Sequence, residues 1–431
     1  MIKIGMVSLG CAKNLVDSEM ILGMLKEGNY EIVTDPSQAD GIIVNTCGFI
    51  EDAKQEAINT ILEMAQYHKK LIVVGCLVQR YEQELKEQIP EVDLFVSIKD
   101  YSTINARINA LFNDDSLKEG LCPMHRVIST PSFTAYLKIS EGCNNCCTYC
   151  AIPLIRGGFR SFPLNDLISE AKMLAKNGAK ELVVISQDTT RYGSDFKDGT
   201  TIVSLLKELL KIKELEYIRM LYLYPNEVSD ELLHLMNDEP RLTPYFDLPI
   251  QHASSSILKA MNRSVDKDFL YDLFKRTREI IHNPTLRTTV IVGFPGETEE
   301  DFQELLDFIQ DVKFDHLGAF TYSREEDTIA DTMDNQVDEN VKRSRLNRLM
   351  RIQQKISYDL NKKRIGEIME GLVVAKTLKN GEYEFRSGWN APDDVDGKII
   401  ITSDEPLKIG QKIKVKITNA FSYDLYGIKL N

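Results

Sequence analysis

Cys143-Asn144-Asn145-Cys146-Cys147-Thr148-Tyr149-Cys150 is the stretch on which the reading of this 431-residue chain turns. It carries a C-x-x-x-C-x-x-C spacing at Cys143, Cys147 and Cys150. Three thiolates on one short loop can hold three irons of a cubane cluster and leave the fourth without a protein ligand, open to a substrate or cofactor. Other metal sites are spaced differently. Bacterial ferredoxins run C-x-x-C-x-x-C and add a fourth cysteine, and tetrahedral zinc sites come as two C-x-x-C pairs or with histidines. Here no second pair follows and no histidine stands nearby, while Cys146 breaks the spacing and reads as a bystander.

With Tyr149 just ahead of the last cysteine, the loop resembles the signature of the radical S-adenosylmethionine superfamily. The resemblance implies that the open iron chelates the amino and carboxylate groups of the cofactor's methionine moiety. One electron then cleaves the sulfonium to a 5′-deoxyadenosyl radical. The surrounding sequence agrees. Strand-like runs at 136–139, 182–185, 218–223, 245–248, 288–292 and 317–322 are separated by helical stretches long enough for crossovers. Six such units suggest an open, partial TIM-like β/α barrel over residues 130–363. The cysteine loop would follow its first strand, on the face where such barrels place their chemistry.

Toward the N-terminus, residues 1–122 alternate strands (2–8, 41–45, 70–75, 92–96) with amphipathic helices (17–26, 51–67, 79–88, 104–112). A βαβ series of this kind predicts a parallel sheet covered by helices. Cys11, Cys47 and Cys76 each lie just past a strand, and the C-terminal ends of parallel strands share one edge. Gly10, Gly48 and Gly75 allow the backbone to turn closely there. Three converging thiolates imply a second cluster with an open iron, whereas any one of them alone could be an ordinary buried cysteine. The polar run Asn113-Asp114-Asp115-Ser116 opens a linker that ends near Pro131.

Toward the C-terminus, residues 341–363 form a long charged helix, read as a spacer. Strand signals at 370–375, 382–386, 398–401, 412–417 and 426–430, with Asn-Gly and Asp-Gly turns, predict a small antiparallel barrel of the oligonucleotide-binding kind over 366–431. The fold class is therefore α/β in three parts.

A net charge of −13 argues against a surface that tracks nucleic acid throughout. The terminal barrel has nine Lys plus Arg against ten Asp plus Glu, and its acidic turn Asp393-Asp394-Val395-Asp396 suits a basic protein partner better than RNA. No apolar run approaches a membrane span and no signal-peptide layout opens the chain, so a cytoplasmic location without membrane contact is expected. In that compartment eight cysteines read as metal or redox ligands before disulfides. The six histidines show no metal spacing, and no phosphate-binding glycine motif is present.

Throughout its length the chain resembles the methylthiotransferase family. Ser8-Leu9-Gly10-Cys11-Ala12-Lys13-Asn14-Leu15-Val16-Asp17-Ser18-Glu19 is similar to the RimO branch, which modifies a ribosomal protein. The MiaB branch, which modifies adenosine in transfer RNA, more often shows Gly-Cys-Gln-Met-Asn there. Asn45-Thr46-Cys47, Ala151-Ile152-Pro153 with Arg156-Gly157, and Gly293-Phe294-Pro295-Gly296-Glu297-Thr298 also match, while Arg160-Ser161-Phe162 departs from the family's Arg-Ser-Arg. The resemblance implies two [4Fe-4S] clusters, on Cys143, Cys147 and Cys150 and on Cys11, Cys47 and Cys76, and a TRAM-like terminal barrel for substrate recognition. S-adenosylmethionine would serve as radical source and methyl donor. The product would be a methylthio group on the β-carbon of an aspartate in small-subunit ribosomal protein S-twelve. It also implies an electron donor such as flavodoxin or ferredoxin, and no catalytic residue beyond the cluster ligands is assigned. Tyr149, Gln187, Asp188, Gly293 and Gly296 are the expected cofactor contacts, and Arg219 and Arg287 point from strands toward cofactor or substrate. The alternatives are a transfer-RNA adenosine methylthiotransferase and a non-catalytic iron–sulfur protein.

Overall fold

The computed structural model describes residues 1–393 and 395–430. The first unit runs β1 (Ile2–Ser8), α1 (Ala12–Glu27), β2 (Tyr30–Val33), β3 (Gly41–Thr46), α2 (Glu51–Ala65), β4 (Lys70–Gly75), α3 (Cys76–Gln88), β5 (Leu94–Ser97) and α4 (Ile104–Phe112). Its strands are all parallel in the order β2-β1-β3-β4-β5. Ile42 and Val44 point into one apolar layer and Ile43, Ile72 and Val74 into the other, so both faces are covered, as a parallel sheet requires. Ser8 pairs with Asn45 and Thr46 with Gly75, which brings the ends of β1, β3 and β4 level along one edge.

Three local expectations need correction. Helix α1 begins at Ala12, directly after Cys11, and α3 begins at Cys76 itself. Asn14, ahead of the expected start at Asp17, lies inside α1, and Asn14, Asp17 and Ser18 are all buried. A further edge strand, Tyr30–Val33, follows the Gly28-Asn29 turn. The segment 113–131 is a docked strap instead of a free linker: Leu117 is buried, the Val127 amide donates to the Glu19 carbonyl (3.0 Å), and Arg126 pairs with Glu19 and Glu170.

The second unit comprises β6 (Thr134–Lys138), β7 (Ser140–Glu141), α5 (Ile152–Arg156), β8 (Arg160–Ser161), α6 (Leu164–Lys176), β9 (Glu181–Ile185), α7 (Ile202–Leu209), β10 (Tyr217–Met220), α8 (Asp230–Asp238), β11 (Tyr245–Asp247), α9 (Ser255–Ala260), α10 (Lys267–Ile280), β12 (Thr285–Val292), α11 (Glu299–Val312), β13 (His316–Thr321) and α12 (Glu339–Lys363). Two parallel three-stranded sheets, β6-β9-β10 and β11-β12-β13, are linked by the Ile218–Leu242 bridge and by the Leu223 amide on the Asp247 carbonyl (2.9 Å). The result is the expected open β/α barrel. The ribbon β7-β8 frames the cysteine loop between Glu141 and Arg160.

Helix α12 is no spacer. Leu349 is fully buried, Gln353 donates to the Phe314 carbonyl (2.8 Å) and Ser357 to that of Asp315 (3.0 Å), so the helix lies along β13. Its charged residues hid this inward stripe.

The last unit is a closed barrel of β14 (Ile368–Lys376), β15 (Glu382–Ser387), β16 (Ile399–Thr402), β17 (Lys412–Ala420) and β18 (Leu425–Lys429), packed around Val373, Phe385, Ile401 and Val415. It is fastened to the second unit by buried charge. Arg219 pairs with Glu181 (3.1 Å) and donates to the Ser387 carbonyl (2.7 Å), while Arg287 pairs with Asp247 (2.6 Å) and Asp396 (3.3 Å). Both arginines therefore serve the join between units and not a cofactor. In the acidic turn Asp396 is likewise committed, accepting from Tyr245 (2.6 Å) and the Ala391 amide (2.9 Å), while Asp394 lies outside the described residues, as does Asn431. No helix among the described residues is long and apolar enough to cross a membrane.

Candidate metal and substrate site

Two sets of three cysteines meet where the first unit rests on the mouth of the β/α barrel. In the first unit, Cys11, Cys47 and Cys76 follow β1, β3 and β4, three neighbouring strands with level ends. Their turns interlock. Gly10 has φ +85°, and a Cβ there would stand 2.9 Å from Cβ of Cys47; one on Gly48 would meet the Leu77 backbone at 2.8 Å and that of Cys76 at 3.0 Å. Side chains sew the same turns together: Asn14 donates to the carbonyls of Leu9 (3.1 Å) and Thr46 (2.9 Å), and Asn45 donates to the Asn14 carbonyl (2.9 Å) and Ser18 (2.9 Å).

The second set lies on the loop after β7. Thr148 anchors it by donating through its amide to the Met261 carbonyl (3.1 Å) and through its hydroxyl to that of Ala260 (2.9 Å). Cys146 is exposed with φ +49°, its carbonyl accepting from Asn262 (3.0 Å), which suits a bystander.

Burial, reinforced by Asp188 and Cys147, pushes Cys143 up to about 11, and burial, reinforced by Cys147 and Cys143, pushes Cys150 up to about 12. Burial likewise raises Cys76 to about 11, reinforced by Cys47 and Cys11 and opposed by Arg156. The three thiols of each set are thus within electrostatic reach of one another. Cys11 alone is lowered: burial would raise it, but Lys13, local amides and Arg156 outweigh that. Among the described residues no trio of metal-binding side chains is close enough for a single ion. A cubane spreads its thiolates over three corners, so they stand further apart than the ligands of one ion. The donor set, thiols only and three to a site, fits an iron–sulfur cluster that deprotonates its ligands on binding.

Arg156 joins the two sets. It ends α5, which starts two residues after Cys150, and Ala151 and Ile155 of that stretch pack on Cys76. Its buried guanidinium donates to Asp17 (2.7 Å), to Glu141 (3.3 Å), to Asn14, and toward Sγ of Cys76 (3.4 Å). Lys138 completes the network on Asp17 (2.5 Å) and Glu141 (2.9 Å). Glu141 is held down near 2 despite its burial, by Lys138 and Arg156.

The expected cofactor contacts fall around this network. Gln187 donates to Glu141 (3.0 Å) and leaves its Oε1 buried without a partner. Asp188 is buried and accepts from Asn145 of the cysteine loop (2.8 Å) and from Thr190 (3.0 Å). Tyr149 packs against the apolar group of Met261, Phe294 and Tyr322. The amides of Gly293 and Phe294 are both taken by Glu297, and the Gly296 amide donates to the Asn335 carbonyl (2.9 Å). Sequence reasoning gave Lys13, Asn14, Asp17 and Arg156 no separate role. Their signal was present: 13, 14, 17 and 18 form a polar stripe at helical spacing directly after a candidate ligand.

Comparison with known proteins follows the same division. Residues 3–97 match a family described as uncharacterized protein family UPF0004, residues 137–309 the radical SAM superfamily, and residues 365–428 the TRAM domain. Fold and site define a radical S-adenosylmethionine enzyme with a cysteine-bearing sheet in front and a TRAM barrel behind. Ribosomal protein uS12 methylthiotransferase RimO of Clostridium novyi (strain NT) is 46% identical over 99% of this chain and 98% of its own length. The protein of that name from Desulforamulus reducens is 48% identical over 98% of each. The chain belongs to the RimO family of methylthiotransferases. Among solved structures, the radical S-adenosylmethionine methyltransferase TsrM of Kitasatospora setae, with cobalamin and a [4Fe-4S] cluster bound, superposes with TM-score 0.58 at 12% identity, covering 89% of this chain and 80% of TsrM. OxsB, a cobalamin-dependent S-adenosylmethionine radical enzyme, gives 0.52 at 14% identity, covering 82% of this chain and 56% of OxsB. At such identities the likeness is one of fold.

Proposed function

We propose that this chain inserts a methylthio group at the β-carbon of an aspartate in ribosomal protein uS12, the substrate named for its relatives. In this reading Cys143, Cys147 and Cys150 hold one [4Fe-4S] cluster, and Cys11, Cys47 and Cys76 hold the other. One S-adenosylmethionine is the radical source, a second is the methyl donor, and a small reductant such as flavodoxin or ferredoxin supplies the electron. When bound, the first cluster with S-adenosylmethionine supplies chemistry able to remove hydrogen from an unactivated carbon, and the second supplies the sulfur.

The chain's own residues fix where that chemistry happens. Arg156, tied to Asp17 and Glu141 and reaching Cys76, sets the distance and angle between the two cysteine sets. Tyr136, Val183, Leu221 and Tyr245 form an apolar cluster with Ala12 and Val16 of α1, which follow Cys11. Gln187, through its unpaired Oε1, and Asp188 would face the cofactor's amino group, and the Gly293–Gly296 turn its adenine. The carrying observation is the ion network of Arg156, Asp17, Glu141 and Lys138, which reaches Cys76 of one set and includes Glu141 and Arg156, the residues that flank the other set in the chain.

The test is iron and sulfide analysis together with mass spectrometry of uS12. Reconstituted protein should hold about eight irons. Replacing Cys11, Cys47 and Cys76 together by Ala should leave about four, keep release of 5′-deoxyadenosine and abolish the methylthio product. Unchanged iron in that variant, or unmodified uS12 beside modified transfer RNA in cells carrying this gene, would overturn the reading.

A further inference from the structure

Ten Lys and Arg side chains are buried among the described residues, and eight of them have a carboxylate within ion-pair distance. Arg263 and Lys13 do not. The Arg263 guanidinium is accounted for: it donates to the Pro249 carbonyl (2.7 Å), stacks on Tyr224 (4.3 Å to the ring centre) and faces Cys147. Lys13 has no carboxylate: its Nζ stands 3.2 Å from the centre of the Tyr222 ring, and the nearby group of opposite charge is the Cys11 thiolate. A buried ammonium against one aromatic face recovers little of its lost hydration, whereas a carboxylate would recover most of it.

A second observation concerns Tyr222. It follows β10 with φ +61°, a left-handed conformation that a bulky residue adopts only under constraint. Its amide is held by Asp247 (2.9 Å) and its carbonyl by the Thr189 amide (3.0 Å). These two bonds hold the strained backbone that carries its ring beneath Lys13. The pair stands beside Cys11, and the nearest other cation, Arg156, is already committed to Asp17 and Glu141. A ligand carboxylate entering between the cysteine sets therefore meets, in Lys13, a buried cation that no carboxylate of the described residues holds.

We propose that Lys13 recognises the side-chain carboxylate of the substrate aspartate, turning its β-carbon toward the two clusters; this rests on the substrate reading above. The target carbon is bonded directly to that carboxyl group, so anchoring the charge fixes the reacting atom to within one bond. A neutral substrate would leave the ammonium without a carboxylate, which makes Lys13 a specificity residue as well as an anchor.

The experiment uses the cluster-loaded full chain with recombinant uS12 and with uS12 in which the modified aspartate is Asn. Binding is measured by fluorescence anisotropy with S-adenosylmethionine present, and methylthio product by mass spectrometry. Wild type should prefer Asp over Asn by at least about 30-fold in kcat/KM, as expected for a hydrogen bond to a charged partner. Lys13→Gln should lose roughly 10- to 100-fold on the Asp substrate, mainly through weaker binding, and bring the two substrates within about threefold. Lys13→Arg should keep most of the Asp preference even if the Gln variant loads less iron. An Asp preference that persists in Lys13→Gln, or an effect on the KM for S-adenosylmethionine in place of uS12, would refute the assignment. A wild type that binds uS12 but forms no methylthio product refutes the underlying substrate reading, whatever Lys13 does.

Discussion

Replacing Arg156 by Met tests whether the ion network holds the two cysteine sets together. Arg156 and Asp17 have side chains only 2% exposed and meet at 2.7 Å. Breaking a buried pair from one side commonly costs about 3–5 kcal/mol, because the remaining charge is stranded. Here the stranding is partial: Asp17 keeps Lys138 at 2.5 Å, and Glu141 keeps Lys138 at 2.9 Å and Gln187 at 3.0 Å. The expected loss therefore lies at the lower end, about 3 kcal/mol, or roughly 150-fold in the local opening equilibrium. Arg156→Lys retains the charge but not the fork that serves Asp17, Asn14 and Cys76 together, and about half of that loss is expected. Because three units share one chain, a single unfolding midpoint would mix their transitions. Hydrogen exchange read by mass spectrometry on metal-free protein gives the local value instead. Protection in α1 and α5 should fall by about two decades in the Met variant, with β14–β18 unaffected, and the difference should survive high salt, since buried pairs are screened weakly. A change below about 0.5 kcal/mol in α1 would refute the account.

Three further outcomes follow from the geometry. Gly10→Ala puts a Cβ 2.9 Å from that of Cys47 at φ +85°, so about half the iron should be lost on reconstitution while 5′-deoxyadenosine release continues; full iron loading would contradict the interlocked turns. His252 is fully buried with Nδ1 accepting from the Ser254 amide (3.0 Å), and burial, reinforced by Arg345 and opposed by Asp301, holds it down to about 3. A histidine depressed in the fold contributes stability above its ordinary pKa that is lost as pH falls toward the folded value. Glu297, 4.0 Å from Nε2 of His252, is present in both proteins, so the wild-type advantage over His252→Asn should shrink by about 2 kcal/mol between pH 6.5 and 5 in urea titrations. Asp396→Asn weakens the contacts to Arg287, Tyr245 and His316, and His316 packs 4.7 Å from Trp389, the one tryptophan. Limited proteolysis should then cut near residue 366 faster, with a change in Trp389 emission; identical cleavage rates would show that the turn is not what fastens the barrel.

The cysteine loop was legible as a candidate site because its spacing is local, with three thiols within eight residues. Cys11, Cys47 and Cys76 were legible for another reason, since parallel strands bring their C-terminal ends to one edge whatever the loop lengths. The six barrel strands and the terminal barrel followed from their apolar periods. What the pattern concealed were polar residues turned inward. Periodicity equates polarity with exposure, so the polar residues of α1 received no buried role, α12 read as a spacer, and Asp396 read as part of a surface turn. These residues have partners far away in the chain: Arg126 with Glu19, Arg156 with Asp17, Arg386 with Glu181, and Arg287 with Asp396. The first ties the strap to the first unit, and each of the others joins two of the three units. Buried ion pairs add little net stability over well-packed apolar side chains, so stability alone does not account for so many at the joins. Their value here is geometric: apolar faces can slide past one another and remain buried, whereas a buried charge is satisfied in only one alignment. A reaction that passes an atom between sites on separate units needs that alignment fixed, and in this chain the fixing falls to the residues hardest to recognise as buried.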